Sequence, residues 1–410
     1  MHLEKEEPKM SEKWSYKSNL FAFGLSWVLW LPITNATGVY FQIFLTELGA
    51  NPSVVGIVLS VASFIIGFSR ILGGYIADFY GRKKIIVILT YIASFVYLAY
   101  AFAETWVHIL IASIVMNITL LYQPAIRAIL ADSIPEERRA LSFGVIMNLP
   151  TVISIFSPYL ALWAISTFGI LGGMRILYLI SFITGIIAGT IRLLLLKETL
   201  RNKGSNQQEN EIELFKKSYS EALVFLKKNL IPLSLIYLLI NLSMGIGTLT
   251  QIYAIQYLGI SAENWGWFAL YGTVVFLILT FPFSYLTDKI GRKIPIFVSM
   301  VLNVIALYLW YSAPMNNAEV FILSAILIGN AAAAFVTGAF PALEADVVPQ
   351  ELRGRITALL RLVASVSFAT GQLLSGFIYE IFTPRFPFLI SLIIRFLGLI
   401  PVIFLKEGIS

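Results

Sequence analysis

Apolar residues in this chain gather into runs long enough to cross a bilayer, and they do so twelve times. The runs lie at approximately 18–47, 53–79, 84–103, 106–131, 140–168, 175–196, 230–258, 264–287, 294–313, 319–346, 355–382 and 386–405. A hydrocarbon core about 30 Å thick is spanned by about 20 residues of helix. Inside it each backbone N–H and C=O must be satisfied by the chain itself, which a helix does segment by segment. The sequence therefore predicts an all-α membrane protein, with the longest runs tilted. At 58% hydrophobic and 13% charged over 410 residues, the composition excludes an ordinary soluble domain. The first 17 residues are charged and the first apolar run is too long for a signal h-region, so no cleaved leader is expected.

Repetition narrows the architecture further. Leu48-Gly49, Gly56 and the turn Gly74-x-x-x-Asp78-x-x-Gly81-Arg82-Lys83 return 210 residues later as Leu258-Gly259, Gly266 and Asp288-x-x-Gly291-Arg292-Lys293. Asp132, Pro135, Glu137 and Arg139 recur at an offset of 214 as Asp346, Pro349, Glu351 and Arg353. Arg175-x-x-Tyr178-Leu179-Ile180-Ser181 recurs as Arg385-x-x-Phe388-Leu389-Ile390-Ser391. A duplication that runs from end to end predicts twelve transmembrane helices in two pseudo-symmetric six-helix bundles, at 18–196 and 230–405. Outside them lie an N-terminal tail (1–17), a linker (197–229) and a short C-terminal tail (406–410). The linker begins polar and then places Ile212, Phe215, Tyr219, Leu223 and Leu226 on one face, the pattern of an amphipathic surface helix.

Charge gives orientation. With both termini on one side, 22 of the 29 Lys and Arg fall in the tails, the loops of that side and the linker, which makes it cytoplasmic by the positive-inside rule. The expected location is the plasma (inner) membrane, multi-pass, with both termini cytoplasmic. The net charge of +6 is then a topological signal and implies no nucleic-acid partner. The chain has no cysteine, no membrane-embedded histidine (His108 sits at an outer helix end), no metal-ligand spacing, no phosphate loop and no paired carboxylates at mid-membrane. An enzyme is not expected, and neither is a cofactor or metal.

Polar residues inside spans are costly unless paired or wet, so they mark where a polar path could run. Asn35 and Gln42 in span 1, Tyr122, Gln123 and Arg127 in span 4, and Asn148 in span 5 are candidates to line a cavity. Their counterparts are Gln251 in span 7, Tyr271 in span 8, Asn330 in span 10, and Arg361 with Gln372 in span 11. Span 2 adds Arg70 on a stripe of Gly56, Ser60, Ser63, Gly67 and Gly74. Such small stripes let helix backbones approach closely. Two readings stay open for the arginines. Arg70, Arg127 and Arg361 could form gate ion pairs with Asp78, Asp132, Glu344 and Asp346, or Arg70 or Arg361 could bind an anionic group of a solute, which guanidinium suits. Glu344, near the inner end of span 10, is the candidate for proton coupling. Trp106 and Trp265, near helix ends, read as interfacial belt residues, and Arg395 as structural or snorkelling.

The twelve spans, the central linker and the G-x-x-x-D-x-x-G-R-K turn after span 2, present in both halves, resemble the major facilitator superfamily over about residues 18–405. That resemblance implies a carrier working by alternating access between its two bundles, with span 2 against span 11. It also implies an inner gate built from Gly74, Asp78, Gly81, Arg82, Lys83, Asp288, Gly291, Arg292 and Lys293, together with Asp132, Arg139, Asp346 and Arg353. Two further marks of the family's drug–proton antiporter branch are degraded: Arg127 is followed by Ala131, and span 5 offers Ser157-Pro158-x-x-Ala161-Leu162. The expected function is secondary active transport of a small solute, with a small organic anion as first choice. The alternatives are a multidrug or sugar transporter of the same superfamily, or a non-transporting membrane sensor on the same fold. Expected partners are the solute, the lipid bilayer and protons as candidate coupling ion, with the chain a monomer.

Overall fold

The computed structural model describes residues 10–134, 146, 149–150, 152–200 and 208–405, with the side chains at 10–17, 70–72, 74–75, 77–79 and 208–218 outside the description. The regular elements among these residues are helical. In the first half they are α1 (Met10–Gly38), α2 (Phe41–Glu47), α3 (Pro52–Tyr80), α4 (Arg82–Ala101), α5 (Trp106–Thr119), α6 (Gln123–Ser133) and α7 (Ser157–Leu195). The linker carries α8 (Gln208–Asn229). The second half holds α9 (Ile231–Ile246), α10 (Ala262–Ile290), α11 (Lys293–Ser312), α12 (Ala318–Val347), α13 (Arg353–Ile381) and α14 (Phe386–Leu397).

Among the described residues, 11 helical segments are long and apolar enough to cross a membrane. The longest, Ser154–Leu195, contains Gly169 at φ 70°, ψ 177°, which no helix accommodates. Its left-handed φ suits glycine, which has no Cβ, and it divides the segment into two spans, making twelve. The expected gap between spans 5 and 6 is thus one kinked residue, with helix resuming well before residue 175. Other spans are interrupted inside. The first breaks after Gly38, and a 3-10 turn at Leu120–Tyr122 parts α5 from α6. Pro124, which has no N–H to donate, sits in the first turn of α6. Span 7 unwinds after α9 and closes in a π turn at Tyr253–Tyr257.

The duplication is visible in the backbone and in side-chain bonds alike. Gly49 and Gly259 have φ of 85° and 75°, and Gly81 and Gly291 have 94° and 85°. Arg175 donates to the carbonyl of Ala103 at 3.2 Å and Arg385 to that of Ala313 at 2.8 Å. Both arginines and both acceptors are 210 positions apart. Each pair satisfies a carbonyl just past the C-terminal end of α4 or α11, where orphan acceptors are found.

The two bundles meet along α3 and α13, which run antiparallel. A Cβ on Gly56 would fall 2.7 Å from the Gln372 carbonyl, one on Gly376 2.6 Å from that of Pro52, and one on Gly67 2.9 Å from Ser365 Cβ. The small stripe is therefore what brings the backbones together. The linker helix α8 rests on α13 and α9 and buries Ala222.

Candidate functional site

The start of the first span, the end of the last and both D-x-x-G-R-K turns lie at one end of the described molecule, here the turn end. Arg82 there binds Asp132 at 2.5 Å and reaches Thr199 Oγ1 at 3.4 Å. The Glu198 carboxylate accepts from Lys83 N at 2.9 Å and so caps α4, where a negative charge is favoured. The second copy repeats the plan: Arg292 binds Asp346 at 3.3 Å and Asp288 at 3.2 Å, and donates to the Thr287 carbonyl. Lys293 donates to Ile403 O and Arg353 to Ala345 O. Each of these contacts stays within its own half. Arg139 and Asn148 lie outside the described residues, and Arg70, Gly74 and Asp78 are described in backbone only.

Between the halves a cavity of about 710 Å³ is lined from the first half by Gly67, Gln123 and Arg127, and from the second by Glu344, Arg353, Thr357, Arg361 and Ser365, among others. Its reach to Arg353, the first residue of α13, opens it toward the turn end. Glu344 is buried, and it is held by three donors: Tyr237 OH, Thr357 Oγ1 at 2.8 Å and Arg361 Nη2 at 3.3 Å. A carboxylate in an apolar bundle needs such compensation. Arg361 has the opposite placement. Its side chain is 45% exposed to the cavity while its guanidinium lies 5.5 Å over the Tyr237 ring. Arg127 is exposed to the same space and has no carboxylate partner among the described residues. Among the described residues, three arginines and one carboxylate, already engaged, thus line this cavity.

At the far end the halves are sealed. The Gln42 backbone N–H donates to Gln251 Oε1 at 2.9 Å, Gln42 Nε2 donates to the Thr248 carbonyl at 2.8 Å, and Gln251 Nε2 donates to the Gly38 carbonyl at 3.0 Å. Each glutamine therefore bonds a carbonyl at the break in the other half's helix, an almost two-fold clasp. Around it Tyr40 OH donates to Ala262 O, Trp265 Nε1 to Val39 O, and Gln256 Nε2 to Thr46 Oγ1. Glu380 accepts from Ser53 N at 3.0 Å and from Ser53 Oγ, capping α3 from the opposite half, and Ser63 donates to Gln372 Oε1 at 2.6 Å.

These placements sort the residues singled out by sequence. Gln123, Arg127 and Arg361 meet at the large cavity, while Asn35, Gln42 and Gln251 line a second, smaller one. Gln372 lies in the α3–α13 seam. Tyr271 stacks on Trp267 and Asn330 bonds its own helix at Ile326 O, and neither lines either cavity. Trp265 is buried within the seal and not in a membrane-facing belt, because its indole N–H satisfies a carbonyl of the other half. Arg395 is buried, with its guanidinium on Ser243 Oγ at 3.3 Å.

The reading by residue types missed Arg192. It is fully buried in the first bundle, donates to Ser26 Oγ at 3.1 Å and Thr90 Oγ1 at 2.7 Å, and sits 5.6–5.9 Å from the rings of Trp30, Tyr122 and Phe23. Near the C-terminal end of α7 it looks like a snorkelling arginine. The one available signal was the aromatic and hydroxyl content of three distant spans.

A family model described as Major Facilitator Superfamily matches residues 20–274 and 233–408. The chain is 29% identical to the uncharacterised MFS-type transporter YqjV of Bacillus subtilis over 126 residues, 30% of this chain and 31% of that protein. It is 23% identical over 366 residues to an uncharacterised MFS-type transporter of Methanocaldococcus jannaschii, covering 86% of this chain and 91% of the relative. Among solved structures, a bacterial homologue of the human lysosomal transporter Spinster, inward-facing and unoccupied, matches with a TM-score of 0.72 at 16% identity, over 98% of this chain and all of that one. The nucleoside transporter NupG gives 0.66 at 16% identity, over 97% and 99%. At such identities the likeness is one of fold.

Proposed function

The chain belongs to the Major Facilitator Superfamily, and on that premise we propose that it carries a small organic anion across the plasma membrane by alternating access. The turn end is the cytoplasmic end in this reading, so the conformation is open inward and sealed outward. The observation that carries the proposal is the charge of the cavity: among the described residues, Arg127, Arg353 and Arg361 line it with Glu344 as the one carboxylate. A solute carboxylate or phosphate would supply the missing negative charge, and guanidinium binds both in bidentate geometry.

Glu344 gives the site a coupling mechanism. Arg361 cannot serve the buried carboxylate and a solute anion equally well. A proton on Glu344 would weaken its hold on Arg361 and turn the guanidinium toward the solute. The sign follows: proton and anion bind together, so an anion would move in symport with protons. The gate turns belong to the rocking step. In this conformation Arg82 is held on Asp132 and Arg292 on Asp346, each inside its own half.

The test is a thermal-shift screen of the purified protein against monocarboxylates, dicarboxylates and organic phosphates, comparing wild type with Arg361→Ala. A ligand that binds only the folded state raises the midpoint by mass action. The reading expects an anion that stabilises wild type and not the variant. Stabilisation of both proteins alike by neutral or cationic solutes, with anions inert, would overturn it.

A further inference from the structure

At the sealed end the first turn of α3 is completed by the opposite half. Pro52, its first residue, has no N–H. Val54 N donates to Asn51 Oδ1 and Val55 N to Asn51 O, each at 3.0 Å, so the chain serves these two donors itself. Ser53 N, between them, turns instead to Glu380 Oε1 on α13 at 3.0 Å, while Ser53 Oγ donates to Glu380 Oε2. A carboxylate is favoured at a helix N-terminus, and this one joins the two halves. Gly376, one turn earlier on α13, permits the approach, since a Cβ there would fall 2.7 Å from Ser53 Cα.

The other bonds described across the seal join amides, hydroxyls, an indole and backbone carbonyls. Among the described residues Glu380 is the one carboxylate that bonds across it. Ser53 is buried but Glu380 is exposed, so a proton from solution reaches the carboxylate while the halves are still closed. Of the elements packed on this part of α13, α3 carries no charged or titratable side chain before Arg70, and α9 none but Tyr237, which is at the turn end on Glu344. Tyr253 and Tyr257 at the end of span 7 lie near Tyr379. Arg385, ahead of α14, is engaged on Ala313 O, and Arg395 within α14 is buried on Ser243. Glu47, ahead of α3, is exposed. Among the described residues no cation is paired with Glu380.

We infer that Glu380 is a proton site of the sealed end, and that its protonation releases the seal. The ionised carboxylate accepts at both oxygens. Once protonated it has no charge to offer the α3 N-terminus, keeps one carbonyl oxygen as acceptor, and gains an O–H donor that the Ser53 N–H cannot use. The same proton leaves the neutral clasp of Gln42 and Gln251 intact. Acid therefore weakens one tie between the halves, and the form open at this end gains population. With the turn end cytoplasmic, the proton arrives from outside and opens the path toward its own side. The site shares no residue with the arginine cavity and does not rest on the anion reading.

The experiment uses the full chain in lipid nanodiscs, spin-labelled at Glu47→Cys and Glu263→Cys, one exposed position on each half at the seal. Pulsed electron resonance reads the distance distribution at about pH 7.5 and about pH 4, a window that spans ordinary carboxylate titration. The long-distance fraction of the parent should rise about fivefold in acid, the change expected when a hydrogen bond to an ion becomes one to a neutral group. Glu380→Gln keeps the shape without the charge, and its long-distance fraction should be raised already at neutral pH and flat across the window. Ser53→Ala removes the hydroxyl bond and keeps the N–H, so it should lie between the two at neutral pH. Glu344→Gln should retain the acid response of the parent. An unresponsive parent, or a Glu380→Gln variant that responds as the parent does, would overturn the inference. So would a response lost in Glu344→Gln and kept in Glu380→Gln, which would assign the proton to the inner carboxylate.

Discussion

Replacing Gln251 with alanine should open the sealed end. The side chain makes two of the three clasp bonds, accepting from Gln42 N and donating to Gly38 O. At about 1 kcal/mol net for each bond between neutral groups, the sealed form loses about 2 kcal/mol relative to the form open at that end. A difference of that size is about a 30-fold shift in a two-state equilibrium. The chain has no cysteine, so a spin-label pair can be introduced without a background. Glu47→Cys on α2 and Glu263→Cys on α10 place exposed labels on opposite sides of the seal. Distance distributions by pulsed electron resonance should be dominated by the short separation in the parent and should gain a substantial long-distance population with Gln251→Ala. An unchanged distribution would refute the claim that the clasp holds this end shut.

Two further perturbations follow from the same geometry. Arg175→Ala and Arg385→Ala remove symmetry-related bonds to the carbonyls of Ala103 and Ala313. Each should cost about 1 kcal/mol and lower the thermal midpoint by a similar few degrees; one variant without effect would break the structural equivalence of the halves. Glu344→Gln keeps one acceptor oxygen for Tyr237, turns an amide N–H donor toward the Thr357 hydroxyl, which can accept it, and releases Arg361 from its ion pair. In proteoliposomes, uptake of the anion found by the thermal screen should lose its response to an imposed pH gradient, and a full response in the variant would remove Glu344 from coupling.

The parts of this molecule that repeat were legible in its sequence, because a repeat displays the same physical requirement twice. Gly81 and Gly291 both take positive φ, and Arg175 and Arg385 both find a carbonyl. The small residues of span 2 at helical spacing marked a face for close approach, and the family resemblance implied span 11 as its partner. What could not be read was which polar residue faces water and which faces the other half. Gln42 and Gln251 carry the same signal as Gln123, a polar side chain within an apolar run, yet they close the seal while Gln123 lines the open cavity. The difference lies in contacts about 210 residues apart in sequence, to which helical periodicity is blind. The same limit hid the role of Trp265. Gly169 was missed for another reason: one residue in a left-handed conformation can end a helix without the polar loop that usually announces the end.

Arg192 bears on how the protein is made. A guanidinium within a membrane span costs roughly 2.5–3.5 kcal/mol to insert at the helix centre on translocon scales. The residues that hold it, Phe23, Ser26, Trp30, Thr90 and Tyr122, all precede it in the chain, on α1, α4 and the turn before α6. When the ribosome delivers span 6, its receptor is already in the bilayer. Order of synthesis and order of assembly therefore agree, and the first bundle can close around its last span before the second bundle has been translated. Arg395 repeats the arrangement, since Ser243 on α9 also leaves the ribosome first.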